Sequence, residues 1–112
     1  MASNCLFCKI AAGEIPSDRV YEDDQVLVFK DIHPKAKVHL LAMPRQHIES
    51  LEALRPDHDP LMAHMLRLLP RIAREQGLTD GFRTIINTGP GGGQEVPHLH
   101  VHLLGGGRLP GF

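Results

Sequence analysis

Three histidines in five positions, His98, His100 and His102, alternate with Leu99, Val101 and Leu103 and follow three consecutive glycines, Gly91, Gly92 and Gly93. Alternation of period two marks a β-strand, whose successive side chains point to opposite faces, so the imidazoles share one face and the aliphatic residues the other. Residues two apart on a strand are separated by roughly 7 Å, so three rings can share one small anion or one metal ion. Two chemistries fit. Neutral imidazoles at alternate positions can ligate a catalytic metal, or they can act on a phosphate. The glycines favour the phosphate, because a loop without Cβ atoms lets backbone N–H groups cradle an oxyanion. A second reactive pair is Cys5 and Cys8, a spacing that suits a metal or redox pair better than a bridge across the fold. They are the only cysteines, so a tetrahedral site built on them must be completed by histidines, of which the chain has eight.

The elements that must position these groups follow from periodicity and punctuation. Residues 5–12 read as a short helix ended by Gly13, with Phe7 and Ile10 on one side. Residues 19–30 read as a hairpin turning at 22–25, in which Leu27, Phe29 and Asp31 fall on one face and Val26, Val28 and Lys30 on the other. Residues 37–43 form the next strand, stopped by Pro44, and His47 opens a short helical stretch over 48–54. Asp59 and Pro60 make a good start for a helix running to Gln76, with Gly77 as its C-terminal cap. Its apolar stripe of Leu61, Met65, Leu68, Leu69 and Ile72 is a packing face, and Pro70 predicts a kink. Residues 82–87 form a short strand that feeds the glycine loop and the histidine strand. The tail over 105–112 has four glycines and too few apolar groups for core, so it is expected to be mobile or to dock on a partner subunit. About five strands, one long helix and two short ones define an α+β fold with an antiparallel sheet, not βαβ winding.

The chain of 112 residues is one domain, spanning 1–112. Twelve basic and thirteen acidic residues give a net charge of −1 without a basic stripe, which argues against nucleic acid as a partner. Neither a secretory n-region nor an apolar run of the ~18 residues a membrane span needs is evident. A soluble, unexported, cytoplasmic protein without membrane partners is the expectation.

The run His98-Leu99-His100-Val101-His102-Leu103-Leu104 resembles the signature of the histidine-triad superfamily, His-φ-His-φ-His-φ-φ with φ apolar. Members bind nucleotides and attack the α-phosphate with the middle histidine. The flanks Gly93-Gln94 and Leu104-Gly105-Gly106 are similar to the branch of small histidine-triad nucleotide-binding (Hint) proteins, and the likeness extends through 7–10, Ile15-Pro16, 21–32, 39–48 and Asn87. The resemblance implies that His100 attacks the α-phosphorus of a nucleotide to form a nucleotidyl-histidine that water hydrolyses, with His98, His102 and Glu95 completing the catalytic group. It implies that Phe7, Ile10, Phe29 and Ile32 meet the base, that Asp31 bonds the ribose, and that His39, Asn87, Gly93 and Gln94 lie at the phosphate. Glu95 stands where many Hint proteins have a serine that assists departure of an amine, and the tryptophan of their tail is absent.

Some members of the superfamily, including the uridylyltransferases of galactose metabolism, complete a two-cysteine zinc site with a mid-chain histidine and the first triad histidine. His47 and His98 match those positions, which implies a structural zinc on Cys5, Cys8, His47 and His98, and no organic cofactor. The resemblance also implies a homodimer. The expected activity is hydrolysis of purine nucleoside 5′-phosphoramidates, with purine mononucleotides such as AMP or GMP as ligands. Dinucleoside polyphosphate hydrolysis, nucleotidyl transfer, and a non-catalytic nucleotide-binding regulatory module are the alternatives.

Overall fold

The computed structural model describes residues 4–111. Helix α1 (Leu6–Ala11) leads into the hairpin of β1 (Arg19–Glu22) and β2 (Val26–Lys30), followed by β3 (Val38–Pro44), the long helix α2 (Asp59–Glu75), β4 (Arg83–Ile85) and β5 (Val101–Gly105). The five strands form one antiparallel sheet in the order β1-β2-β3-β5-β4, so the last strand of the chain is inserted between β3 and β4. Its register sets His102 opposite Leu41 on one side and Ile85 on the other.

The sheet is covered on both faces, which is why β2 and β3 read as nearly unbroken apolar runs. On one face Val26, Val28, Leu40, Ala42, Val101 and Leu103 pack against the stripe of α2. On the other, Leu27, Phe29, Leu41 and Met43 pack against Cys5, Phe7 and Ile10 of the α1 segment. Alternation along each strand thus delivers one set of residues to the main core and the other to a small second core that borders the histidines. Arg19 and Arg45 fasten α1 to the sheet by donating to the carbonyls of Ile10 (2.8 Å) and Ala11 (3.1 Å) in its last turn, where carbonyls no longer have a helical N–H four residues on.

Three local expectations need correction. Only a single 3-10 turn, Leu51–Ala53, forms in the stretch expected to be helical after His47. The histidine strand begins at Val101, because Leu99 N–H bonds the Ile48 carbonyl (2.7 Å) instead of continuing the ladder with β3. The two-face alternation survives this, since Leu99 lies in the main core while His98 and His100 are buried on the other side. The tail is partly structural: Gly105 belongs to β5, where a Cβ would come within 2.9 Å of Leu78, and Leu109 and Pro110 reach the cavity described below. Phe112 lies outside the described residues. Helix α2 continues through Pro70, which sits on its exposed side, and the Leu66 carbonyl that loses a donor there is on a residue open to water.

The β1–β2 turn is tied to α2 by one carboxylate. Asp23 accepts from the N–H groups of Gln25 (2.8 Å) and Val26 (2.7 Å), the Tyr21 hydroxyl (2.7 Å) and His64 Nε2–H (2.7 Å). Burial pushes its pKa up, but those four donors outweigh burial and hold it well below the usual carboxylate range. A depressed folded-state pKa gives stability that is present above the unfolded value and lost as pH falls toward the folded one. Asp23→Asn is therefore expected to cost about 2–3 kcal/mol near neutral pH, with the gap in melting temperature from wild type closing as pH is lowered below ~4. A gap independent of pH would sink this account.

Candidate active site and metal centre

A cavity of about 650 Å³ opens on the α1 side of the sheet, a size suited to a mononucleotide. Its wall is a product of the register. His100, His102 and Leu104 alternate along the C-terminal stretch, with Arg83, Ile85 and Asn87 beside them on one side and His39 and Leu41 on the other. Phe7, Ile10, Phe29, Asp31, Ile32, Gly93 and Glu95 also line it. Apart from the metal residues and Gln94, every expected site residue therefore reaches one space.

Hydrogen bonds fix the tautomer of each ring. A carbonyl only accepts, so the His98 carbonyl 2.7 Å from His100 Nδ1 requires a proton there and leaves the Nε2 lone pair as the basic position of His100. Phe7 packs edge-on against that ring with centroids 4.9 Å apart and against Phe29 at 5.5 Å, limiting how His100 can turn. Lys35 N–H donates to His39 Nδ1 (3.0 Å), so His39 carries its proton on Nε2, which lies 2.9 Å from His102 Nδ1. His102 must accept there and present its own N–H from Nε2. Burial, then the neighbouring His100 and His39, bring the His102 pKa down to about 4, so it is a neutral donor at pH 7. Burial also lowers His39, against the pull of Asp31.

The glycine loop serves differently from the expectation. Positive φ is needed at Gly89 (+70°) and Gly93 (+84°), not at Gly91 or Gly92. The N–H groups of Gly93 and Gln94 donate to the carbonyls of Pro90 (3.1 Å) and Gly89 (3.0 Å), so both are engaged in closing the loop. The Gln94 side chain accepts from Gly89 N–H (2.8 Å) and donates to the carbonyls of Glu49 (2.8 Å) and Val96 (2.9 Å). It is a clamp on the loop and does not line the cavity.

His98 turns away from the cavity. Its Nδ1 lies 3.3 Å from Cys5 Sγ and 3.5 Å from Cys8 Sγ, and Cys8 Sγ lies 3.3 Å from His47 Nδ1. A tetrahedral ion with metal–sulfur bonds of ~2.3 Å and metal–nitrogen bonds of ~2.0 Å sets those corners roughly 3.6 Å apart. The residues fit an ion closely. His98 Nε2–H donates to the Pro44 carbonyl (2.7 Å), which leaves Nδ1 bare toward the sulfurs, the usual support for a metal-bound imidazole. Burial, then the hydrogen bond and charge of Cys5, raise the Cys8 thiol to about 11, so loading must displace protons and is favoured by rising pH. Asp31, His39 and His102 also converge, but the proton on His39 Nε2 points into that cluster, which makes it a hydrogen-bond relay. Among the described residues, neither cluster includes His100, so the three triad histidines do not share an ion.

Several wall residues were not anticipated. Arg83, Ile85, Leu41 and Leu104 follow by counting in twos from Asn87, His39 and His102, a signal present in the sequence. Leu109 and Pro110 carried none, because a glycine-rich tail has no period to read.

A strand that places a bare imidazole nitrogen on a cavity wall, backed by a second imidazole donor, is the geometry of the histidine-triad hydrolases. The profile described as the C-terminal binding region of the scavenger mRNA decapping enzyme matches residues 4–108. The protein HitA of Neisseria gonorrhoeae is 57% identical over 102 residues, covering 91% of this chain and 95% of that one. The purine nucleoside phosphoramidase of Escherichia coli K12 is 44% identical over 110 residues, covering 97% and 92%. A crystal structure of a HIT family hydrolase from Legionella pneumophila superposes with a TM-score of 0.93 at 46% identity, covering 96% of each chain. The chain belongs to the histidine-triad (HIT) family and is a hydrolase of that type. Among the described residues no helix is long and apolar enough to cross a membrane.

Proposed function

We propose that this enzyme hydrolyses purine nucleoside 5′-phosphoramidates through a nucleotidyl intermediate on His100. The observation that carries the reading is the hydrogen bond from His100 Nδ1–H to the His98 carbonyl, which leaves Nε2 as the nucleophile on the cavity wall. The Nε2 lone pair attacks the α-phosphorus, the P–N bond to the amine breaks, and a water then cleaves the P–N bond to His100. His102 Nε2–H donates to the phosphoryl oxygens or to the departing nitrogen. Phe7, Ile10, Phe29 and Ile32 hold the base, and His39 keeps His102 in its donor tautomer. The likeness to the E. coli phosphoramidase supports the substrate class. Zinc is the ion that suits two sulfurs and two imidazoles, and bound there it supplies a closed structural tie between α1 and the sheet, with no open position for chemistry. A homodimer is part of this reading, in keeping with the exposed apolar side chains Leu66 on α2 and Phe82 before β4, and sedimentation can test it. The cytoplasm is the proposed compartment.

Lys30, Lys35 and Arg83 in the cavity wall favour a second reading, in which the leaving group is a polyphosphate. Turnover of adenosine phosphoramidate and diadenosine polyphosphate, with AMP binding measured in parallel, separates these from a binding module without catalysis. Phosphoramidate turnover should exceed the other by at least tenfold in kcat/KM, and the reverse order would overturn the reading.

Asp31 supplies a further test. One of its oxygens accepts from His33 N–H (2.8 Å) and the other lies 3.4 Å from His39 Nε2, at the cavity wall. A charge-assisted bond to the ribose is expected to make AMP bind about tenfold more tightly than 2′-dAMP, and Asp31→Asn to shrink that ratio. Equal affinities in the wild type would count against the assignment.

A further inference from the structure

Cys5 and Cys8 bracket the first turn of the helix whose Leu6, Phe7 and Ile10 line the cavity. Cys5 is the extended residue capping α1, so its Sγ folds back over the first turn and accepts from Cys8 N–H at 3.3 Å. Both sulfurs belong to the group of four donor atoms lying within 4.8 Å of one another. A disulfide requires rotation of the two side chains to close that gap to ~2.05 Å. Cys8 is half-exposed and open to a small oxidant, while Cys5 is buried behind it. Between them in sequence stands Phe7, packed on His100 and Phe29, and the same helix sends Leu6 and Ile10 to the cavity.

We propose that Cys5 and Cys8 form a reversible disulfide in the presence of a hydroperoxide, that this releases the metal, and that it loosens the α1 wall of the cavity. The pocket part rests on the reading of that cavity as a nucleotide site. In the loaded centre both sulfurs are thiolates. The Cys8 thiolate attacks one peroxide oxygen, the O–O bond breaks, and a sulfenic acid and a hydroxide form. The Cys5 thiolate then attacks the Cys8 sulfur and displaces the second hydroxide. In sum, two thiolates, one hydrogen peroxide and two protons give one disulfide and two waters, with two electrons passing from sulfur to oxygen. Bonded to each other, the sulfurs no longer serve as thiolate ligands, and His47 and His98 alone offer two of the four donors a zinc site needs. Helix α1 is then held by Arg19 and Arg45 at its far end and by its apolar contacts.

The test treats zinc-loaded protein with hydrogen peroxide and follows released zinc with a chromogenic chelator, intact mass, amide exchange of residues 5–12 and AMP affinity. The expected result is one zinc released per chain with the loss of two hydrogen masses, at least tenfold faster exchange in α1, and at least tenfold weaker AMP binding. Dithiol plus zinc should reverse all four, and Cys8→Ser should show no disulfide. Mass gain by oxygen in place of hydrogen loss, zinc release without a change in α1 exchange, or no zinc uptake at all would overturn the inference. Should the reduced protein fail to bind AMP, the nucleotide reading fails, and α1 exchange alone decides this one.

Discussion

Replacing His100 by alanine is expected to lower phosphoramidate turnover by roughly four orders of magnitude or more, while AMP affinity changes by less than about tenfold, or 1.4 kcal/mol. The asymmetry follows from where contacts lie. His100 supplies one ring to the wall of a cavity whose apolar lining also includes Phe7, Ile10, Phe29, Leu41 and Ile85, so binding is spread over many residues. The attacking lone pair is not spread at all. His39 is locked as a donor to His102, whose own N–H is on the Nε2 side, and His98 faces the sulfurs, so none can stand in for His100 Nε2. Near wild-type kcat in the alanine variant, measured in single-turnover experiments that trap the nucleotidyl-enzyme, would overturn the assignment.

The second large effect concerns the metal. Purified protein is expected to carry about one zinc per chain, and Cys5→Ser combined with Cys8→Ser to lose it. Loss of the tie between α1, His47 and His98 should lower the melting temperature by about 10 °C or more, corresponding to ~3 kcal/mol for a domain of this size. His100→Ala should keep the ion, since His100 Nδ1 is bonded to a carbonyl and Nε2 belongs to the cavity. The opposite pattern, zinc kept without the cysteines and lost without His100, would defeat both the structural site and the nucleophile.

Much of this site is legible in the sequence because strands have an exact arithmetic of faces. The alternation of His98 to Leu103 fixes which residues meet solvent chemistry and which meet α2, and it does so even though the regular ladder starts only at Val101. What periodicity cannot convey is where a polar side chain spends its hydrogen bonds. Gln94 matches a phosphate ligand by position, yet its amide spans Gly89, Glu49 and Val96 and braces the loop. The same holds for the glycines, whose special backbone angles fall at Gly89 and Gly93. Tautomers were equally hidden, since Lys35 N–H, the Pro44 carbonyl and the His98 carbonyl are set by tertiary placement. The cysteine site lay between these extremes: spacing marked the pair, and only the fold brings His47 and His98 to it.

The insertion of β5 between β3 and β4 has a consequence for how the molecule is made. During synthesis β3 emerges about sixty residues before its partner, and its inner edge waits unpaired until Val101–Gly105 arrives. Pairings so distant in sequence are slow to form, because a long loop must be closed before any contact rewards it. The late strand brings His102 with it and follows His100 directly. A nascent chain that has not yet reached Val101 therefore lacks at once a central strand of its sheet and the His102 part of the cavity wall, so the sheet and the cavity are completed by the same strand.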